Sequence, residues 1–170
     1  MEELFPIVDE LGNVIGSATR KECHARTFLL HPVVHLHVFD EAGRLFLQKR
    51  SESKDVQPGK WDTSVGGHVD FGESVEVALR REAREELGLS IRNERKLYSY
   101  VFQSDVEREL VNTFCCEAEL SDITIDPVEI SEGRFWTMKE IRKSLGSGCF
   151  TPNFELEFAK LTEALEKESR

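Results

Sequence analysis

Apolar residues in the first part of the chain come in short runs broken by turn signals, the pattern of β-strands. Phe5–Val8 and Val14–Thr19 flank Glu10-Leu11-Gly12-Asn13 and predict a hairpin. Val33–Phe39 alternates, with Val34, Leu36 and Val38 on one face and Val33, His35, His37 and Phe39 on the other. Leu45–Gln48 follows Glu41-Ala42-Gly43 and predicts a second hairpin. Ser51–Lys60 is charged, contains Pro58-Gly59 and reads as a loop, and Trp61–Val69 is short and β-leaning. At Ser74–Leu87 the period changes to that of a helix, closed by Gly88. Lys96–Gln103 and Leu110–Leu120 predict a third hairpin, Arg134–Trp136 a short edge strand and Lys139–Leu145 a short helix. Thr151–Lys167 predicts a C-terminal helix with Thr151 as N-cap and Pro152 in its first position. Phe150, Phe154 and Phe158 recur every four residues, which favours core packing over a stacking platform for bases. Strands, a helix, more strands and then helices give an α+β layered domain. No repeat, low-complexity tract or linker interrupts it, so residues 1–170 are expected to form one domain.

Composition narrows the function classes. The 170 residues carry 22 Lys+Arg against 32 Asp+Glu, a net charge of -10, and 39% are hydrophobic. That acidity argues against a sequence-independent grip on a nucleic-acid polymer, which needs a basic face. It leaves a small phosphorylated ligand open, because local charge decides its binding. No apolar run approaches the roughly 18 residues of a membrane span. The acidic start, MEELFPIVDE, lacks the features of a secretory signal. Cys23, Cys115, Cys116 and Cys149 contain no CxxC pair, and the expectation is four reduced thiols in a cytoplasmic protein.

The chemistry concentrates between residues 66 and 89. With about 100° per residue, Val75, Leu79, Ala83 and Leu87 form one apolar stripe on the helix. Glu82, Glu85 and Glu86 fall in an arc that overlaps the edge of that stripe. Anions so placed repel one another and lose hydration near the core. A hard divalent cation with oxygen ligands offsets both costs. Arg80, Arg81 and Arg84 are the structural alternative, through Glu–Arg pairs along a surface helix.

Gly67, five residues, Glu73, seven residues and then Arg81-Glu82-Ala83-Arg84-Glu85-Glu86-Leu87-Gly88-Leu89 resemble the Nudix box. The departure is Ala83, where the family usually has a larger aliphatic residue. The resemblance implies an α/β/α sandwich around a mixed central sheet. It implies hydrolysis of a nucleoside diphosphate linked to another group, with Mg²⁺ or Mn²⁺ as cofactor. By matched position the metal ligands would be Glu82, Glu85 and Glu86, joined by the carbonyl of Gly66. Glu73 and Arg81 would brace the loop against the helix, and Gly67 and Gly72 would permit its tight path. The catalytic base is open: Glu86 and Glu85 lie inside the box, and Glu107, Glu109, Glu129 and Glu132 are candidates outside it.

Gly16–Arg20, His24, His31, Leu47-Gln48-Lys49-Arg50, Lys54, Pro58-Gly59-Lys60-Trp61 and Gly67-His68 are similar to the isopentenyl-diphosphate isomerase branch of the same superfamily. That resemblance implies a second metal site of His24, His31, His68, Glu107 and Glu109, and diphosphate-binding cations at Arg50, Lys54 and Arg20. Imidazole and carboxylate suit Mn²⁺ or Zn²⁺, and Arg or Lys suits phosphate. The isomerase's protonating cysteine, however, falls at Gly66. The box acids that the isomerase mostly lacks are all present. The expectation is therefore a metal-dependent hydrolase of a small phosphorylated substrate on an isomerase-like framework. The isomerase itself and a non-catalytic nucleotide sensor are its rivals. A homodimer joined through strands is left open.

Overall fold

The computed structural model describes residues 2–169. Strands β1 (Leu4–Val8) and β2 (Val14–Thr19) form an antiparallel hairpin of their own. The turn between them places Gly12 at φ +89°, a conformation open to glycine. A one-turn helix, α1 (Arg20–Cys23), follows directly. The sequence reading contains no such helix, but its capping box is present: Thr19 Oγ1 accepts from the Glu22 N–H, and the Glu22 carboxylate accepts from the Thr19 N–H.

The main sheet is mixed. Strand β3 (Leu30–Phe39) runs parallel to β8 (Arg108–Glu117) over its whole length, and β8 pairs antiparallel with β7 (Arg95–Gln103). The expected hairpin between β3 and β4 (Leu45–Arg50) is a hairpin only at its turn, where Phe39 meets Leu45. Beyond that point β4 departs to pair with β5 (Trp61–Asp62) and β9 (Ile130–Trp136). The vacated edge of β3 is taken by β6 (Val65–His68), which pairs Val33 with His68 and His35 with Gly66. The segment 61–69 is thus two short strands rather than one, and the split between β4 and β3 opens a cleft in the sheet. The strand expected over Leu110–Leu120 ends at Glu117 and is followed by a turn of 3₁₀ helix at Leu120–Asp122.

Helix α2 (Val75–Leu87) covers one face of the sheet. Ser74 caps it by accepting from the Val77 N–H, and Gly88 closes it at φ +59°. Its stripe of Ala78, Leu79, Ala83 and Leu87 packs on Val34, Leu36 and Val38 of β3. Helices α3 (Met138–Ser144) and α4 (Pro152–Glu168) lie on the other face. There Phe150, Phe154, Phe158 and Leu161 pack with Leu45, Leu47, Trp61 and Trp136. The three phenylalanines are core residues, as their spacing predicts. The result is an α/β/α sandwich with one apolar layer on each side of the sheet.

Candidate active site

The split in the sheet holds a cleft of about 870 Å³. One wall is the face of α2 that carries Glu82, Glu85 and Glu86. Glu82 and Glu86 turn inward, whereas Glu85 is 59% exposed at the rim. Gln48 Nε2 donates to Glu86 Oε1 at 2.9 Å, and the Gly66 N–H donates to Oε2 at 3.3 Å. Burial pushes the Glu86 carboxyl up to about 8, against the Gln48 bond and helped by the nearby Glu82 charge. Burial raises Glu82 as well, although Arg81 opposes the shift. Two carboxylates that resist ionisation side by side are the donor set a hard cation relieves.

The loop before α2 is braced by one arginine. Arg81 Nε and Nη2 grip Glu73 at 2.7 and 2.9 Å, Nη2 also donates to the His68 carbonyl at 3.0 Å, and Nη1 donates to Glu82 Oε1 at 2.8 Å. The Glu73 carboxyl is held below its ordinary range by the Arg81 bond. Gly72 has φ +90°, and the Asp70 N–H after the strand is taken by Glu73 Oε1 at 2.9 Å. Gly67 lies so close to α2 that a Cβ there would stand 2.2 Å from Glu82 Cδ.

A second group of donors meets beside the cleft, whose lining includes its His68 and Glu107. The last residue of the α1 cap supplies His24, β3 supplies His31, β6 His68 and β8 Glu107. One nitrogen or oxygen from each lies within 4.8 Å of all the others. His24 Nε2 and Glu107 Oε2 are 2.8 Å apart, yet neither makes a hydrogen bond of acceptable direction, and His31 Nε2 and His68 Nε2 are buried without partners. The close approach and the missing bonds are consistent if all four atoms aim at a common centre. The Phe5 ring stacks on His68 at 4.5 Å and on His31 at 5.7 Å and shields the group. Burial lowers His31 and pushes His68 down to about 3, so these rings are neutral and offer lone pairs. Orphaned buried nitrogens with one carboxylate fit a borderline cation such as Mn²⁺ or Zn²⁺. Glu109 lies just outside the group, 3.9 Å from His68 and 4.0 Å from His31, and burial raises it to about 7.

The expected phosphate cations Arg20, Arg50 and Lys54 all line the cleft, but each is engaged by an acid. Arg20 pairs with Glu3 at 3.3 Å, Arg50 with Asp62 at 3.6 Å, and Lys54 with Glu129. Glu129 therefore reaches the cleft as a partner of Lys54. Glu132 does not: it is exposed on β9 and absent from the lining, which removes it as a candidate base.

No motif in the sequence points to the groups around Glu157. This carboxylate is fully buried under α4. It accepts from the Tyr98 and Tyr100 hydroxyls at 2.6 Å each, from His35 Nδ1 at 2.8 Å, from His37 Nε2 at 3.4 Å and from Thr113 Oγ1 at 3.2 Å. Burial alone would raise it, but the bonds and charges of His35 and His37 outweigh that and hold it far below the usual carboxylate range. The same bond, with the Glu157 charge, raises His35 despite its burial.

A glycine loop, an acid-faced helix and a layered sheet meet around one cleft. The NUDIX domain model matches residues 29–154, and the chain belongs to the Nudix family of hydrolases. A Nudix hydrolase of Listeria innocua is 38% identical over 129 residues, 75% of each chain. An isopentenyl-diphosphate Delta-isomerase of Brevibacterium linens is 31% identical over 167 residues, 94% of this chain and 91% of its own. The crystal structure of DR0079 from Deinococcus radiodurans superposes with a TM-score of 0.78 at 28% identity, over 93% of this chain and 98% of that one. The family uses divalent cations, and no helix among the described residues is long and apolar enough to cross a membrane.

Proposed function

We propose that this chain hydrolyses a phosphoanhydride bond in a nucleoside diphosphate linked to another moiety, with Mg²⁺ or Mn²⁺ as cofactor. The observation that carries the reading is the pairing of Glu82 with Glu86 in a half-buried wall, both pushed toward protonation by burial. Such a pair is costly without a cation and useful with one. Bound there, the metal supplies charge neutralisation for the phosphates and a more acidic water. The protein's own groups do the positioning. Glu82, Glu86 and the rim carboxylate Glu85 hold the ion. Arg81 fixes Glu82, while Gln48 and the Gly66 N–H aim Glu86. Glu86 or Glu109 takes the proton from the attacking water. Arg50, Lys54 and Arg20 exchange their acid partners for phosphate oxygens. His24, His31, His68 and Glu107 hold a second cation, with Glu109 at its margin.

The test is release of phosphate or pyrophosphate across a panel of diphosphate-linked nucleotides and isopentenyl diphosphate, with Mg²⁺ and then Mn²⁺. Turnover that a chelator abolishes, and that Glu86→Gln lowers by orders of magnitude in a folded protein, is expected. Equal activity in Glu86→Gln would remove that residue from the mechanism.

A second reading is favoured by the three-histidine group and the isomerase relative: isomerisation of a diphosphate ester. It requires a proton donor at residue 66, where this chain has glycine. Formation of dimethylallyl diphosphate from isopentenyl diphosphate would establish it.

A further inference from the structure

We propose that His35, oriented by Glu157, contacts the diphosphate of the bound substrate through Nε2. The proposal rests on the reading of the cleft as a diphosphate site.

Position comes first. His35 lies on β3 with its Cα opposite Gly66 of β6. Its Cδ2 and Nε2 are the side-chain atoms nearest residue 66, at 3.5 and 3.8 Å from where a Cβ there would stand. Gly66 in turn gives its N–H to Glu86. His35, Gly66 and Glu86 are therefore contiguous on the cleft wall, and the His35 ring is one-fifth exposed into it. A phosphate held at the Glu82–Glu86 end has this ring edge as a neighbour.

Orientation comes second. Glu157 takes five donors and is an anion, so the hydrogen shared with His35 sits on Nδ1. That bond pins the ring with Nε2 turned away from Glu157 and toward Gly66 of the cleft wall, where it makes no hydrogen bond to any described residue. The bland account is that Glu157 merely bolts α4 to the sheet. His37, Tyr98, Tyr100 and Thr113 suffice for that, and none of these four lines the cleft. His35 is the member of the network with a free polar atom in the cleft. The arginines and the lysine there are already paired with acids. Placed between two anions, Glu157 and a bound phosphate, the ring carries hydrogen on both nitrogens, donating Nδ1–H to Glu157 and Nε2–H to a phosphate oxygen in a charge-assisted bond. In this role His35 touches substrate, and Glu157 is a positioning residue acting through it.

The experiment uses methylenediphosphonate with Mg²⁺ as a non-hydrolysable probe, on the full chain with ¹⁵N-labelled histidine. The expected result is a His35 ring with Nδ1 protonated and an Nε2 resonance that moves when the probe binds. His35→Gln should weaken the probe roughly tenfold to a hundredfold, the span of a charge-assisted bond, in a protein that stays folded with its melting temperature lowered by the loss of one donor to Glu157. Glu157→Gln should lose the Nδ1 signature and weaken the probe as well. His37→Gln disturbs the same network away from the cleft and should leave probe affinity near that of the parent chain. Parent-like binding by His35→Gln, or an Nε2 resonance indifferent to saturating probe, overturns the contact. Equal weakening by His37→Gln also overturns it, in favour of the structural account. If the parent chain fails to bind the probe, the diphosphate reading of the cleft falls and takes this proposal with it. Binding without cleavage of any anhydride sinks the hydrolytic reading and leaves the His35 contact standing.

Discussion

Two adjacent glycines in β6 give the sharpest test of the acid wall, because they face opposite layers. A Cβ on Gly66 would meet His35 Cδ2 at 3.5 Å, an ordinary contact. A Cβ on Gly67 would stand 2.2 Å from Glu82 Cδ and 2.6 Å from each of its oxygens. Neither residue has positive φ, so alanine strains no backbone and the collision is the whole perturbation. To regain a contact of about 3.4 Å the Glu82 carboxyl carbon must retreat by roughly 1.2 Å. It is the far end of a flexible side chain, so the fold should lose no more than ~1 kcal/mol, the mild end of overpacking. The site is less tolerant, because metal–ligand distances hold to about 0.2 Å. The retreat also breaks the 2.8 Å bond from Arg81 Nη1. A misplacement of about 1 Å costs on the order of 100-fold in rate. Gly67→Ala is therefore expected to melt close to the parent chain while losing Mn²⁺ affinity and about 100-fold in metal-dependent turnover. Gly66→Ala should keep its Mn²⁺ affinity. Melting curves with Mn²⁺ titration followed by electron paramagnetic resonance separate the cases. Parent-like Mn²⁺ binding by Gly67→Ala, read in a His31→Ala background that removes the histidine group's ion, would show that Glu82 does not hold the ion where it stands.

Other substitutions probe the remaining claims. Glu86 binds its proton more tightly folded, near 8, than the ordinary 4.5, so the metal-free chain should lose stability as pH rises through that window. The loss between pH 5.5 and 8.5 is on the order of 3 kcal/mol; urea denaturation in chelator at those two values measures it, and Glu86→Gln should flatten the difference. Replacing His31 by Ala should abolish Co²⁺ absorption bands from the histidine group while leaving the box acids able to bind Mn²⁺; persistence of those bands would count against the group as a ligand set. At Gly133 a Cβ would stand 2.4 Å from the buried Phe46 Cζ, a rigid ring, so Gly133→Ala should cost about 1–3 kcal/mol by chemical denaturation.

Local signals were legible wherever one residue or one period carried them. The stripe and caps of α2 lie within a single stretch, and Glu82 and Glu86 turn from the solvated side as their angular positions imply, whereas Glu85 stays exposed. Helix α1 has too few residues to show a period, and its signal was the Thr19–Glu22 pair alone. The departure of β4 from β3 was not legible, because Leu45–Gln48 offers the same pattern to any neighbour and the choice is made by β6 and β9. The pairing of His35 and His37 with Glu157 spans more than a hundred residues and leaves no local trace. A trace did exist at the other end. Phe154, Glu157, Phe158 and Leu161 occupy one buried stripe of α4, and an acid in such a stripe calls for several donors.

The charge balance of the cleft connects these parts. Ten carboxylates line it against four arginines and lysines, and each of those cations is already committed to an acid. A bare diphosphate would meet a field of its own sign, in a chain of net charge -10. Divalent ions reverse that field locally, so cation and substrate should bind with strong positive coupling. Methylenediphosphonate affinity should then rise steeply with Mg²⁺, and Mg²⁺ affinity should rise by the same factor with the probe. Calorimetric titrations in both orders measure the two factors. Tight diphosphate binding in chelator would mean that Arg50, Lys54 and His35 suffice without a metal, and the acid wall would need another purpose.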